Sequence, residues 1–370
     1  MTKVLHIFLW YVFSVSFVLL SAPPFIGKPV LLKYSAKLKP YGMIFQTVPE
    51  IRGARSSSDE IILFFGDSSV VQPPWAKKDT PHIPALLQTE LQQNHPEVGK
   101  VSLIEWAFGG ARLFHYYCLL FEAEKCSPAL LIIPINWRSL GPRSVEWSEL
   151  FAFHELSALV PFSERVNRYG DSPLHLEGIS LTRHVKYSLS QRPLLYLSGL
   201  KLWARTTFGI EPEQESLSDP PGELPSAKEL IGQFSDEKLF AQYANELAPN
   251  NLQLRVLRSL VETSARRGIK LLFYITPIHV DEMRQRKLFQ PTKFRNSVER
   301  VVESATSETS MCLNLVSLLG EEDFIDYFEH YSLEGNQKIA RALAPMIPEL
   351  LKSPPPPQHT STAFLRGSRR

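Results

Sequence analysis

The apolar residues of this chain come mostly in short unbroken runs, separated by stretches with helical spacing, rather than in strict alternation. Ile61–Phe65 is one such run, fit for a strand covered on both faces. Residues 82–94 read as a helix, Val101–Trp106 as a second strand, Leu113–Lys125 as a second helix and Ala129–Ile135 as a third strand. The rhythm stops over residues 140–250 and then returns. Leu252–Arg267 is amphipathic and is stopped by Gly268. Ile269–Ile275 is the fourth strand, 292–306 a helix and Met311–Leu318 the fifth strand. Ser332 is placed to cap a last helix from Leu333 to about Leu351, with Glu334 in its first turn. Strands alternating with helices in this way predict an α/β fold, a five-stranded parallel sheet with helices on both faces. In such sheets the working residues gather at the carboxyl ends of the strands.

The two ends and the gap in the rhythm need separate accounts. From Val4 to Ala22 only His6 and three serines interrupt an apolar run that approaches the length of a membrane-spanning helix. It exceeds the core of a typical signal peptide, and Pro23-Pro24 is a poor cleavage context. Residues 1–22 are therefore expected to be an uncleaved transmembrane signal anchor, followed by a linker over 23–58. Lys3 precedes the run, while Lys28, Lys33, Lys37 and Lys39 follow it. That distribution favours keeping the body on the cytoplasmic side. The tail from Ser353 to Arg370 is proline-rich, then polar and basic, and is expected to be disordered. The stretch 140–250 is too long for a plain connection. It is rich in aromatics, Ser, Pro and charge, and reads either as a helical lid or cap over a site, in reach of a membrane surface, or as a structural insertion.

Composition narrows the chemistry. The 370 residues suffice for one large domain, here 59–352, and the formal net charge of +2 gives no field that argues for nucleic acid. There is no zinc-type Cys/His spacing, no phosphate-binding Walker loop and no GxGxxG, so neither a metal nor a nucleotide cofactor is implied. Three cysteines do not make a disulfide scaffold. Cys118 and Cys126 are the pair an exported body would have available, subject to helix geometry.

The polar residues that follow each strand form a set. Gly66-Asp67-Ser68-Ser69 follows the first, Ala107-Phe108-Gly109-Gly110-Ala111-Arg112 the second, Asn136-Trp137-Arg138 the third, and Asp326 through His330 the fifth. Singly, each has a plain reading as a turn, a loop or a cap. Together they supply a hydroxyl nucleophile, a base to take its proton, an acid to orient that base, and backbone or amide N–H groups for an oxyanion. His279, Arg112 and Arg138 lie at the same predicted edge. Loop punctuation and solvation account for them without a role.

These blocks resemble the SGNH, or GDSL-like, hydrolase superfamily, over roughly residues 59–140 and 250–350. The resemblance implies a flavodoxin-like three-layer α/β/α sandwich and a Ser-His-Asp triad. Ser68 would be the nucleophile, its own N–H an oxyanion donor, Gly110 the second donor with Gly109 as the register alternative, and Asn136 the third. His330 would be the base and Asp326 its acid, with Asp323 the alternative. Ser69 offers a second hydroxyl. The family's third block is usually Gly-x-Asn-Asp, whereas Pro134-Ile135-Asn136-Trp137 lacks both the Gly and the Asp. Its last block is usually Asp-x-x-His, and here one more residue separates Asp326 from His330.

The resemblance implies a membrane-anchored serine esterase or O-acyltransferase outside the membrane. It would act on an acylated cell-envelope glycan or lipid, with a membrane-embedded acyl-donor partner available to a transferase. A lipid or small-ester hydrolase on the cytoplasmic side, and a non-catalytic binding or assembly module on the same scaffold, are the other expectations.

Overall fold

The computed structural model describes residues 48–57, 59–70, 81–108, 111–140, 246–287, 290–325 and 330–352. The expected anchor, the tail and nearly all of the expected insertion lie outside these residues. Among the described residues no helix is long and apolar enough to cross a membrane.

Helix α1 (Val48–Ser56) leads into β1 (Glu60–Gly66), and α2 (Ile83–Asn94) leads to β2 (Val101–Ala107). Helix α3 (Leu113–Cys126) returns the chain to β3 (Leu130–Ile135), which ends in a 3-10 turn over Trp137–Leu140. After the long gap come α4 (Leu252–Arg266), β4 (Leu271–Ile275), α5 (Val280–Gln285), α6 (Pro291–Ala305) and β5 (Ser310–Asn314). Helices α7 (Leu333–Leu343) and α8 (Met346–Lys352) close the described chain.

The strands form one parallel sheet in the order β2-β1-β3-β4-β5. This is the flavodoxin-like order, with its switch point between β1 and β3. One face carries Leu63, Phe65, Ile133 and Phe273 against α1, α3, α4 and α6. The other carries Ile62, Phe64, Ile132 and Leu272 against α2, α7 and α8. The three interior strands, β1, β3 and β4, are buried along nearly their whole length, which is why their sequences run apolar without alternating.

Three differences from the sequence reading have physical causes. The stretch 23–58, expected as linker, contains α1, whose Ile51 and Ala54 are buried against the sheet. The fifth strand stops at Asn314 rather than Leu318, because the Asn314 side chain accepts from Val316 N and Leu318 N bonds Leu315 O, turning the chain away. The last helix is two helices, broken where Pro345 lacks the N–H a continuing helix would use. Cys118 and Cys126 both lie on α3, more than two turns apart, and both are free thiols. That separation is beyond disulfide reach.

Candidate active site

Gly66 is the last residue of β1 and pairs with Ala107 of β2. A β-carbon on it would lie 2.7 Å from both the Ala107 and Val70 β-carbons. The strand therefore leaves the sheet through the one residue that fits between its neighbours. The turn is closed by Val70 N donating to Asp67 O at 3.1 Å. Inside it, Asp67 Oδ1 accepts from both Ser69 N, at 2.8 Å, and Ser69 Oγ, at 2.6 Å. Gly66, Asp67, Ser69 and Val70 are all buried, and Ser68 alone in this turn is partly open to solvent. Of the two adjacent hydroxyls, Ser68 is the accessible one and Ser69 is engaged with a carboxylate.

Asn136 follows β3, the neighbour of β1. The β1–β3 register pairs Ile62 with Leu130 and Phe64 with Ile132. β1 and β3 are neighbours, so the serine turn and Asn136 both leave the sheet at its carboxyl edge beside the switch point. The Asn136 side chain is buried and its Oδ1 accepts from Arg138 N at 2.9 Å. Its backbone carbonyl accepts from Ser139 N and, at 2.7 Å, from Ser139 Oγ. The Arg138 N bond assigns the acceptor end of the side-chain amide, so the NH2 lies on the opposite side of Cγ.

His330 is buried and enters α7 two residues ahead of its cap, Ser332, whose Oγ accepts from Gly335 N. Ile325 N donates to His330 O, and Phe324 bridges Tyr331, so the two strands of this connection run side by side. Tyr331 OH donates to Pro277 O at 3.1 Å, tying the His330 segment to the end of β4. Asp326, the expected triad acid, lies outside the described residues. Its alternative, Asp323, is fully buried and its carboxylate accepts from Lys338 Nζ at 2.7 and 2.8 Å and from Gly320 N at 2.9 Å. Those partners tie Asp323 to the connection's own architecture.

Gly109 and Gly110 also lie outside the described residues. The residues flanking them are joined by Ala111 N donating to Phe108 O, and Phe108 N bonds Gly66 O, so this block borders the serine turn. Arg112 is the N-cap of α3, where its N–H donates to His115 Nδ1 at 3.0 Å. His115 is buried, and burial with the nearby Arg112 charge lowers its pKa to about 3. It is a neutral structural imidazole, packed edge-on against Phe108 and Phe114. His279 caps α5, accepting from Glu282 N, and stacks on Phe324 at 5.0 Å.

Two residues of this region were not singled out by sequence. Asp67 was read only as part of the Gly66-Asp67-Ser68-Ser69 block, although an Asp whose side chain bonds the backbone two residues on is itself a turn former. Tyr274, near the end of β4, has a fully buried hydroxyl and packs edge-on against Phe64 at 6.1 Å. Burial, and then the nearby Asp67 charge, push its phenol well above the usual range. No sequence signal marks it, since a tyrosine in an apolar strand reads as core.

At the opposite, amino edge of the sheet lies a cavity of about 400 Å³ whose lining includes Glu60, Ala129, Lys270 and Lys352. None of the candidate residues reaches it. Among the described residues no cluster of His, Cys, Asp and Glu could hold a metal ion.

No protein-family model and no curated protein matches the sequence. Among solved structures, the chain is similar to a Parabacteroides merdae protein provisionally assigned as a GDSL-like lipase. The identity is 11%, 79% of this chain and 96% of that one are covered, and the TM-score is 0.38. It is also similar to the acetylxylan esterase Axe2 of Geobacillus stearothermophilus, at 14% identity over 78% of this chain and 94% of that one, with a TM-score of 0.40. Likenesses this distant assign neither family nor activity.

Proposed function

We propose that this chain is a membrane-anchored, SGNH-type serine esterase or O-acyltransferase. The observation that carries the reading is the turn after β1, in which only Ser68 is open to solvent while its neighbours are buried and bonded. That turn stands at the switch point of a flavodoxin-like sheet, where ligands of such sheets bind.

His330 takes the Ser68 proton as Ser68 Oγ attacks the acyl carbonyl carbon. Asp326 holds the imidazole and steadies its positive charge. Ser68 N–H, Gly110 N–H and the Asn136 NH2 receive the oxyanion. Collapse breaks the ester bond, and the imidazolium returns the proton to the departing alcohol. Water, or the hydroxyl of an acceptor, then takes the acyl group from Ser68 by the same steps. The substrate class is an acylated cell-envelope glycan or lipid. The apolar segment 4–22 supplies the anchor, the catalytic body stands outside the membrane, and a membrane-embedded acyl donor serves as partner in the transferase case.

The test is covalent labelling of the full chain in detergent by a fluorophosphonate. Wild type is expected to label at Ser68, and Ser68→Ala and His330→Ala to lose the label. Asn136→Ala is expected to slow labelling by about 10²–10³-fold, the usual worth of one oxyanion donor. A folded wild type that does not label would leave the chain a binding module on this scaffold.

A further inference from the structure

We propose that Ser69 is a positioning residue: with Asp67 it forms a buried brace that holds the backbone of Ser68 in its reactive geometry. The proposal rests on the reading of Ser68 as nucleophile.

Two adjacent serines after a strand present an ambiguity that the geometry removes. Ser69 is 5% exposed and Asp67 2%. Ser69 is the more buried of the two serines, and its hydroxyl donates to Asp67 Oδ1 at 2.6 Å. The same oxygen takes the Ser69 N–H at 2.8 Å. A carboxylate suits this task because it only accepts, and hydrogen bonds to it are short and strong. With Val70 N on Asp67 O, three bonds and the contact of Val70 with Gly66 enclose the Ser68 backbone from both sides. Asp67 and Ser69 are both buried, so this side of the turn lies within the protein interior. There a hydrogen bond is stronger than in water and an unmatched one costs more. Ser68 is thereby held before any substrate arrives, which is what efficient nucleophilic attack requires.

Two readouts on the full chain test this: the maximal rate and half-saturation of fluorophosphonate labelling, and hydrogen exchange of a peptide spanning residues 64–72. In Ser69→Ala the maximal rate is expected to fall about tenfold, the worth of one hydrogen bond to a charged group. Half-saturation should be unchanged, exchange in the turn faster, and the label should remain on Ser68. Ser69→Thr keeps the hydroxyl and should restore both rate and protection. A Ser69→Ala variant that labels and exchanges like wild type overturns the brace. Label found on Ser69 overturns it as well. An unlabelled wild type instead removes the catalytic reading, and the positioning role with it.

Discussion

Gly66 has no room for a side chain, and that single fact constrains everything after β1. Its missing β-carbon would meet the β-carbons of Ala107 and Val70 at 2.7 Å, one on the neighbouring strand and one in the turn. Gly66→Ala is therefore expected to push the turn off the sheet, costing about 1–3 kcal/mol by overpacking. Fluorophosphonate labelling should fall further than stability alone explains. A denaturant melt beside the labelling assay checks both, and a variant with wild-type values in each refutes the packing argument. The Gly-Asp-Ser-Ser string was legible in sequence as a turn, because a glycine and small polar groups after an apolar run say so. The family resemblance and the turn already favour Ser68 over Ser69, and Ser68 is the open hydroxyl; how Asp67 engages Ser69 was not legible. It is decided by backbone direction.

At the level of elements, the connection from β5 to α7 is held by a buried polar network. Asp323 sits at its centre, fully buried, holding Gly320 N and Lys338 Nζ, while its backbone carbonyl accepts from Ser332 N at 2.7 Å. The same carbonyl would lie 2.6 Å from a β-carbon on Gly335, so α7 approaches this segment backbone to backbone. Lys338→Ala leaves the buried carboxylate short of its cationic partner and is expected to lower the midpoint of a denaturant melt. Asp323→Asn should likewise lower stability. Asp326→Asn should lower labelling while leaving the melt in place, and the reverse pattern would make Asp323 the triad acid. Most elements here were legible from periodicity and caps: the Ser332 cap forms, and Gly268 ends α4 with a positive φ of 69°. The parallel five-stranded sheet followed from the alternation of strands and helices, as expected. What sequence missed were short elements, α1 and α5, whose few apolar residues give no sustained period.

Across the whole molecule, the pH dependence of stability has an identifiable contributor on the edge strand. Glu105 of β2 approaches His82, the N-cap residue of α2, with 3.7 Å between Oε2 and Nδ1. Burial raises the Glu105 carboxyl to about 7 and lowers the His82 imidazole. Both shifts favour the neutral forms, so this is a contact of acid and imidazole rather than an ion pair. The folded chain keeps the Glu105 proton up to about pH 7, whereas the unfolded chain releases it near the ordinary value of 4.5. The folded state therefore binds more protons between those values, and the Glu105 contribution to stability falls as pH rises through that window. His82 works the other way, its contribution falling as pH drops below the ordinary imidazole value of 6.5. Glu105→Gln is expected to flatten the decline on the alkaline side, raising Tm relative to wild type at about pH 8 and not at about pH 5. Parallel Tm–pH curves for the two proteins would refute it. The same sheet also records how the chain tolerates a long departure. Asn251 Nδ2 donates to Leu140 O at 3.1 Å, and Leu247 N donates to Ser297 Oγ at 3.0 Å. The described chain thus departs at Leu140 and returns at Asn251 through one direct hydrogen bond, with Leu247 tied to α6 close by. Because closing a longer loop costs only slightly more entropy than closing a shorter one, a junction pinned on both sides in this way makes the length of the intervening segment a nearly independent variable of the sheet's stability.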